Sequence, residues 1–364
     1  RQPGSAFKPF VYAAALDSGF SPATIVIDAP IEIDTPQGLW RPKNSSNKFF
    51  GPTPVRTGIE QSRNLMTVRL AQVLGMTTIA GYAEKFGVYD QMRPYLAASL
   101  GSEETTLYKI VSAYAMFANG GERVQPTLVD RIQDRTGKTV FQHDERVCDE
   151  CSRADILPGW LPNIVSNRER VMDQVTAYQL TSMMEGVVER GTAQRFIKLP
   201  VPVAGKTGTT NDSKDVWFVG FTSNIVAGCY MGFDQPAPLG KGYYGGIMCG
   251  PVFNRFMERA IERLGSGEFA IPATGTFINI NRFTGARLAE DAEGDHVVAE
   301  FFREGDEPIF GVEFDGGFQV SGNLPLFDDG ETDTPNLEVT TSSGRVITVS
   351  PQASFGSLSS GGLY

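Results

Sequence analysis

The chain has 364 residues, 41% of them hydrophobic, and a formal net charge of −10 at pH 7. It is long enough and apolar enough to bury the core of one large domain and to carry an appendage. The acidic balance, without a basic stripe for phosphate contacts, argues against nucleic acid as a partner. No uninterrupted run of about 18 apolar residues occurs, so we do not expect this chain to span a bilayer by itself.

The first predicted element is a helix over residues 5–16, which carry apolar residues at helical spacing until Gly19 can end it. Pro9 fits this prediction, because proline is tolerated in the first turn of a helix. Ser5 and Lys8 then lie one turn apart on one face, where hydroxyl and amine can meet. For an isolated S-x-x-K string, an N-cap serine with a solvated lysine is the favoured alternative.

A second polar string, Ser62-Arg63-Asn64, lies between two helical patterns. The pattern that follows it, over residues 65–74, is apolar on one face and stops at Gly75. Taken alone, the string is as well explained as a cap for this second helix as by a catalytic role.

Two further helical patterns cover residues 107–117 and 175–188. Between them, residues 127–133 and 138–142 are predicted to form a small hairpin, with residues 135–137 (Arg-Thr-Gly) in its turn.

Four cysteines are too few to make a disulfide scaffold at this length, and Cys148 and Cys151 are the only close pair. Zinc usually needs four ligands, and no second C-x-x-C or local histidine pair completes a site. We therefore predict a loop disulfide, formed in an oxidising compartment. Cys229 in a strand and Cys249 before a helix are predicted to be free thiols that pack as small hydrophobes.

The third string, Lys206-Thr-Gly, lies within residues 200–212, which have the β-branched character of a strand with small residues at its centre. Glycines inside a strand commonly mark the close approach of another backbone or a ligand. Residues 215–221 and 225–232 follow as a hairpin, so Lys206 is predicted to lie on the first of three strands. The alternative is a surface lysine beside a turn.

An amphipathic helix over residues 252–264 is predicted to pack on the sheet and close a domain of residues 1–264. Residues 265–364 then form a C-terminal extension that we expect to be partly flexible and to bury little, because its composition is biased. The functional alternative for the extension is partner binding or length control. Its notable stretches are two strand-like runs (276–281 and 297–302), an acidic run (327–335) and a Ser/Gly-rich end (357–362).

Single strings of this kind carry little information, because the chain contains decoys. Residues 45–48 also match S-x-x-K, residues 321–323 match S-x-N, and residues 135–137 imitate the lysine string with arginine. The decoys lack the helix and strand context that supports the three strings above.

Acyl transfer needs a nucleophile, a base, a proton relay and donors for the oxyanion. The chain contains only two histidines, His143 and His296, both in polar stretches. It therefore offers few candidates for the base of a serine–histidine mechanism. A lysine can act as the base when burial and neighbouring cations lower its pKa to about 7–8. Lys8 and Lys206 are the candidates, since each lowers the pKa of the other if they share a cleft.

The remaining roles have candidates among the same strings. Ser62 can relay the proton towards the leaving amine, and Asn64 can hold the substrate amide. The backbone N–H groups of Ser5, at its helix start, and Thr209, on its strand, can receive the developing negative charge.

The three strings and their surroundings resemble the transpeptidase domain of class A penicillin-binding proteins. The resemblance covers roughly residues 1–262, and it is carried by residues 1–10, 61–64, 117–121, 191–193, 204–210 and 215–220. It implies an α+β, β-lactamase-like fold of the penicillin-recognising serine transpeptidases, with an antiparallel sheet flanked by helices. The active cleft is then expected at one sheet edge.

The resemblance also implies roles for individual residues. The implied catalytic residues are the acylated nucleophile Ser5, the general base Lys8, the second-motif residues Ser62 and Asn64, and Lys206. Lys206, Thr207 and Thr209 are expected to grip the terminal carboxylate of the substrate, and Gly208 is the third implied substrate-binding residue. No metal ion and no cofactor are implied.

The implied activity is D,D-transpeptidation of peptidoglycan. The family attacks the D-Ala-D-Ala end of one stem peptide, expels the last D-alanine and passes the acyl group to an amine on a neighbouring stem, and β-lactams mimic the donor. The alternatives are a D,D-carboxypeptidase, a catalytically silent penicillin-binding sensor or scaffold, and a β-lactamase. For the last, the Glu-x-x-Leu-Asn pattern that such enzymes use is missing between Asn64 and Lys206.

The chain opens shortly before Ser5 without an initiator methionine, so we expect it to be part of a longer protein. In the resembled family the upstream part carries a membrane anchor, a glycosyltransferase domain and the first strands of the transpeptidase. We therefore expect a parent protein anchored in the bacterial inner membrane, with this chain on the periplasmic face. Those strands are expected to be missing here or to be supplied by a separate segment, so we expect that residues 1–364 do not fold unaided.

Overall fold

The computed structural model describes residues 1–36, 38–149, 151, 163–308, 337–340, 344, 346–349 and 355–356. Its helices are α1 (Lys8–Asp17), α2 (Val55–Glu60), α3 (Asn64–Leu74), α4 (Met76–Lys85), α5 (Leu107–Ala118), α6 (Gln174–Glu189) and α7 (Gly245–Leu264), with 3-10 turns at Gly4–Phe7, Leu96–Leu100 and Asn211–Ser213. Its strands are β1 (Ile25–Asp28), β2 (Ile33–Thr35), β3 (Gly38–Trp40), β4 (Gly51–Pro54), β5 (Arg131–Gln133), β6 (Thr139–Gln142), β7 (Val147–Asp149), β8 (Asn163–Val165), β9 (Ala204–Thr209), β10 (Asp215–Phe221), β11 (Val226–Gly232), β12 (Thr276–Asn281), β13 (Val297–Phe302), β14 (Leu337–Thr340), β15 (Val346–Val349) and β16 (Phe355–Gly356).

Helix α1 runs through the middle of the core and is buried from Lys8 to Leu16. Its sequence is apolar on every side, which is the pattern of a helix that is enclosed by other elements. The ring of Phe10 lies 5.1 Å from that of Phe117 on α5. The helix predicted over residues 5–16 is confirmed, with its first turn wound as a 3-10 turn.

An antiparallel sheet with the strand order β11-β10-β9 carries the third string. The register places Lys206 opposite Val219 and Gly208 opposite Trp217. Helix α6 packs on β9, while α5 and α7 pack on β10 and β11. Helices therefore flank an antiparallel sheet, and the predicted α+β class is confirmed. Helix α7 begins before residue 252, where the sequence pattern placed its start.

Among the smaller strand pairs, one was predicted from the sequence. Strands β5 and β6 form the predicted hairpin, and residues 135–137 lie in its turn. A second sheet has the order β16-β1-β4, and β4 leads directly into α2. The predictions for residues 321–323, 327–335 and 357–362 concern positions outside the described residues.

The first part of the C-terminal extension is packed against the domain. Strands β12 and β13 pair along their whole length, and β13 contacts α6. Ile280, Glu300 and Phe302 are fully buried. The expectation that residues after 264 bury little is therefore wrong for this hairpin, because its inner face packs Ile278, Ile280 and Phe302 against Ala23 and pairs Glu300 with Arg56 of α2.

The cysteines pair in two disulfides. Cys148 and Cys151 form the predicted loop disulfide, with Cα atoms 5.6 Å apart. Cys229 and Cys249 also form a disulfide, with Cα atoms 5.4 Å apart, so the prediction of two free thiols is wrong. The reason is tertiary, because α7 packs across β10 and β11 and brings Cys249 within disulfide range of the strand.

No helix within the described ranges is both long and apolar enough to cross a membrane.

Candidate active site

The three strings meet in one cleft of about 720 Å³ at the open edge of β9. The lining residues come from all three strings, from the loop before β4 and from the segments around residues 192 and 244: Ser5, Asn44, Ser45, Ser46, Phe50, Gln61, Ser62, Arg63, Thr192, Thr207, Thr209 and Tyr244. Another cleft, of about 470 Å³, lies against the β5–β6 hairpin and contains no residue of the three strings.

The ammonium group of Lys8 is directed at the second string. Lys8 Nζ lies 2.7 Å from the carbonyl oxygen of Ser62, 2.7 Å from Asn64 Oδ1 and 3.3 Å from Ser62 Oγ. The side chain is fully buried. In this state Lys8 donates to the second string rather than to Ser5, which lies in the turn just before it.

Lys206 approaches the same serine from the sheet. Its Nζ lies 2.9 Å from Ser62 Oγ and 3.2 Å from the carbonyl oxygen of Thr207. The side chain is fully buried, like that of Lys8. The Ser62 hydroxyl therefore lies between two buried amines, one from the helix and one from the strand.

Burial of two amines in one cleft disfavours their protonated forms. Burial lowers the pKa of Lys8 well below its ordinary value, and the neighbouring charges of Lys206 and Arg63 lower it further, against an opposing effect of Asp28. Burial lowers the pKa of Lys206 to about 7. A neutral amine is therefore accessible near pH 7, as the sequence argument required of a lysine base.

The backbone at Ser62 is unusual for a residue with a side chain. Its φ is 55°, in the left-handed region. The conformation is held by hydrogen bonds from Ser62 N–H to the Ile59 carbonyl (3.1 Å) and from Arg63 N–H to the Gly58 carbonyl (2.9 Å). Left-handed non-glycine residues cost free energy and persist only where their surroundings impose them. The end of α2 thus fixes the direction of the Ser62 hydroxyl.

The threonines after Lys206 face the cleft, as their alternation along β9 predicts. Thr207 Oγ1 lies 2.8 Å from Thr192 Oγ1, and Thr209 Oγ1 accepts a hydrogen bond of 3.1 Å from the N–H of Gly245 at the start of α7. These hydroxyls line the cleft on the strand that carries Lys206.

Gly208 lies between these threonines and faces the opposite side of the strand. A Cβ atom at this position would lie 2.4 Å from the carbonyl oxygen of Pro3, so only glycine admits the N-terminal segment here. The same approach brings Gly4, with φ of 52°, against Thr209, where a Cβ on Gly4 would lie 2.8 Å from the Thr209 carbonyl oxygen. The backbones of Ser5 and Thr209 therefore border one space.

Comparison with known proteins identifies the family. The family model of the penicillin binding protein transpeptidase domain matches residues 1–258. This chain belongs to the penicillin-binding protein transpeptidase family. It is 44% identical over 289 residues to the penicillin-binding protein 1A of Rickettsia bellii, a match covering 78% of this chain and 36% of that protein. It is 37% identical over 358 residues to the penicillin-binding protein 1A of Pseudomonas aeruginosa, covering 89% and 43%.

Solved structures agree with this assignment. A crystal structure of penicillin-binding protein 1A from Haemophilus influenzae superposes with a TM-score of 0.72 at 32% identity, covering 85% of this chain and 48% of that one. A structure of the penicillin-binding protein PonA1 from Mycobacterium tuberculosis shares the fold, with a TM-score of 0.61 at 23% identity over 75% of this chain and 72% of that one. The chain spans less than half the length of the Rickettsia bellii and Pseudomonas aeruginosa relatives.

The transpeptidase domain contains site residues that the sequence analysis missed. Asn44 accepts hydrogen bonds from the N–H groups of Asn64 (2.8 Å) and Leu65 (3.3 Å), so it caps α3 from a distant loop. Its amide nitrogen donates to Asp28 (2.7 Å), a buried carboxyl whose pKa burial raises to about 6. No local pattern marks Asn44, although it directly precedes the decoy at residues 45–48.

Arg63 and Thr192 also line the cleft of the transpeptidase domain and were not among the predicted site residues. The guanidinium of Arg63 lies 3.2 Å from the centroid of the Phe50 ring, which joins the second string to the loop wall. Thr192 belongs to residues 191–193, one of the segments that carry the family resemblance, but the resemblance assigns it no role. The decoy serine Ser45 is an exposed wall residue of the cleft in an irregular loop.

Proposed function

We propose that this chain is a serine D,D-transpeptidase, which cross-links peptidoglycan stem peptides through an acyl-enzyme on Ser5 and is acylated by β-lactams. The observation that carries the proposal is the Ser62 hydroxyl held between two buried lysine amines, in a cleft that also exposes Ser5. This arrangement supplies a nucleophile, a base and a relay without histidine or metal.

In the acylation step, neutral Lys8 takes the proton of Ser5 as the Ser5 oxygen attacks the carbonyl carbon of the penultimate D-alanine. A neutral amine has two hydrogens and one lone pair. The two hydrogens match the short contacts to the Ser62 carbonyl and Asn64 Oδ1, which leaves the lone pair to accept a proton. These two contacts therefore orient the base.

The oxyanion forms between two backbone N–H groups, those of Ser5 and Thr209. The N–H of Ser5 lies in the first turn of its helix, where N–H groups have no intrahelical acceptor. The close contact of Gly4 with Thr209 brings the strand to the same space. Donors placed where charge develops lower the barrier, typically by about 3–4 kcal/mol for one donor.

Collapse of the tetrahedral intermediate releases D-alanine. The proton that Lys8 received passes through the Ser62 hydroxyl to the leaving nitrogen, because Ser62 Oγ lies within hydrogen-bonding distance of both amines. An amine of a second stem peptide then attacks the ester and restores free Ser5. A β-lactam follows the first half of this path and keeps its leaving group tethered.

Substrate recognition is assigned to the strand. Lys206, with the hydroxyls of Thr207 and Thr209, binds the terminal carboxylate of the donor, and Gly208 provides the close backbone approach that places them. When the carboxylate arrives, it favours the protonated form of Lys206, whose pKa burial lowers to about 7. Lys8 is left as the neutral base.

The protein that carries this chain is proposed to be a class A penicillin-binding protein. Its upstream part would contribute a peptidoglycan glycosyltransferase domain and an anchor in the inner membrane, with residues 1–264 as the transpeptidase domain on the periplasmic face and residues 265–364 as an extension. Support comes from the 1A relatives, of which this chain spans 36% and 43%. The partners are donor and acceptor stem peptides and β-lactams.

The test is a transpeptidation assay with a donor peptide ending in D-Ala-D-Ala and a second peptide carrying the acceptor amine. The proposal expects equal amounts of free D-alanine and cross-linked dimer, and no reaction from the Ser5→Ala variant. Release of D-alanine without dimer at saturating acceptor would make the chain a carboxypeptidase. Binding of penicillin without either product would leave a sensor or scaffold.

A further inference from the structure

The β12–β13 hairpin supplies a buried carboxylate that binds α2, the helix directly before Ser62. Residues 276–302 lie beyond the part of the chain that the family model matches, residues 1–258. Nevertheless, Glu300 on β13 is fully buried and binds Arg56 on α2 through both carboxylate oxygens, to Nε and to Nη2, the latter at 2.7 Å. A hairpin outside the matched region thus contacts the short helix that precedes Ser62.

Arg56 joins the hairpin to the rest of the site. Its Nη1 donates to Glu60 Oε1 (3.2 Å) and to the carbonyl oxygen of Ser182 (3.1 Å). Arg56, Glu60 and Glu300 are all fully buried. A buried guanidinium needs such partners, because removing one carboxylate leaves an uncompensated charge in the core. Arg282, next to the same hairpin, lies 3.9 Å from Glu60 and reinforces the link.

Glu60 is the last residue of α2 and connects to two walls of the cleft. The Ser62 backbone, in the left-handed region, begins two residues later. The Glu60 carbonyl oxygen accepts a hydrogen bond of 3.1 Å from the N–H of Thr192, whose hydroxyl contacts Thr207. The Glu60 side chain lies against Gly186 of α6, where a Cβ would approach its Oε1 to 2.0 Å. The position of α2 therefore sets both Ser62 and Thr192.

We propose that Glu300 is a positioning residue for acylation, acting through Arg56 and the end of α2 on the left-handed backbone of Ser62. The inference rests on the proposed function. If Glu300 has this role, the β12–β13 hairpin of the C-terminal extension helps to position residues of the transpeptidase site. Ser62 is sensitive to such a change, because its carbonyl and hydroxyl together hold both lysines.

The experiment compares two hairpin variants in the full chain together with its upstream strands. Acylation by a chromogenic β-lactam is followed by stopped flow. Glu300→Gln keeps the shape and removes the charge that faces Arg56. Arg303→Gln is the matched control, because Arg303 binds Asp173 (2.9 Å) at the start of α6 and makes no contact with α2 among the described residues. Unfolding midpoints are measured for both, and rates are read well below them.

We expect both variants to unfold at lower temperature, and only Glu300→Gln to lose at least tenfold in the acylation rate at saturating β-lactam. Arg303→Gln should stay within twofold of the parent chain. Loss of stability alone does not change the saturating rate of folded molecules, so this rate separates positioning from scaffolding. An unchanged rate in Glu300→Gln, or an equal loss in both variants, overturns the inference.

If Glu300→Gln does not fold, Arg282→Gln provides a milder test of the same path, since that side chain is partly exposed and contacts Glu60 at 3.9 Å. Its saturating rate should fall severalfold, and a rate equal to that of Arg303→Gln would refute the inference. Acylation of the unsubstituted chain distinguishes a failure of the proposed function from a failure of the role of Glu300. If this chain is not acylated at all, the proposed function fails, whereas an acylated parent with unaffected variants removes only the role of Glu300.

Discussion

Replacing Lys206 with methionine should remove part of the pH dependence of folding stability. Burial lowers the pKa of Lys206 from 10.5 to about 7 in the folded chain. Between these values the unfolded chain binds more protons than the folded chain, so stability rises with pH in this window. Lys206 destabilises the folded chain most below pH 7, where a charged ammonium must be kept in the core. This destabilisation disappears above pH 10.5, where the amine is neutral in both states. Methionine has nearly the same length and no charge.

The size of the effect follows from the two pKa values. Integrating the linkage relation from pH 7 to pH 9 for a group that changes from 10.5 to about 7 gives about 2 kcal/mol. The lost hydrogen bond to Ser62 costs about 1 kcal/mol at every pH. It therefore lowers the free energy of unfolding by the same amount throughout and does not change the dependence of that free energy on pH. Removing the charge of Lys206 also raises the pKa of Lys8, which reduces the slope further.

Urea unfolding at pH 7, 8 and 9 of the chain together with its upstream strands measures this difference. The parent chain should gain stability relative to Lys206→Met by about 2 kcal/mol across this range. Lys48→Met is the matched control, because Lys48 is exposed and its variant should follow the parent curve. Parallel curves for the parent and Lys206→Met would show that this lysine is not buried as a neutral amine, and the argument for a lysine base would lose its physical basis.

Three further predictions concern single groups. Lys8→Ala should fold and bind penicillin but form no acyl-enzyme, and normal acylation in stopped flow would remove Lys8 as the base. Thr209→Val should weaken acylation by carboxylate-bearing donors by at least tenfold while sparing a donor without that carboxylate; equal losses would point to the broken hydrogen bond from Gly245 instead. Thiol titration of denatured, unreduced protein should find Cys229 and Cys249 blocked, like the loop pair, and two reactive thiols would contradict the pairing.

The sequence predicted the parts of the site that depend on local structure. Ser5 and Lys8 lie at the start of one helix, and Lys206, Thr207 and Thr209 follow one strand, so helical and strand periodicity already placed their side chains. The strands at 276–281 and 297–302 were recognised for the same reason, with bounds that the structure reproduces. What the sequence could not supply was the packing of these elements on one another.

Long-range packing created the remaining features. Asn44 caps a helix that starts 20 residues later in the chain, and Glu300 binds an arginine 244 residues away. Cys229 and Cys249 pair because a helix crosses the sheet. None of these contacts leaves a periodic pattern, and each depends on tertiary geometry. The loop decoy at residues 45–48 shows the converse, since it matches a catalytic string and contributes only a wall of the cleft.

The most direct test of the account is the mass of the chain after incubation with a penicillin. The account predicts a gain of the full antibiotic mass, located by peptide mapping on the peptide that contains Ser5, and an adduct that outlasts many turnovers of a β-lactamase. The Ser5→Ala variant should gain nothing. Catalytic accumulation of hydrolysed penicillin without any adduct, or an adduct on Ser45 or Ser62 instead, would contradict the assignment of Ser5 as the nucleophile of a cell-wall transpeptidase.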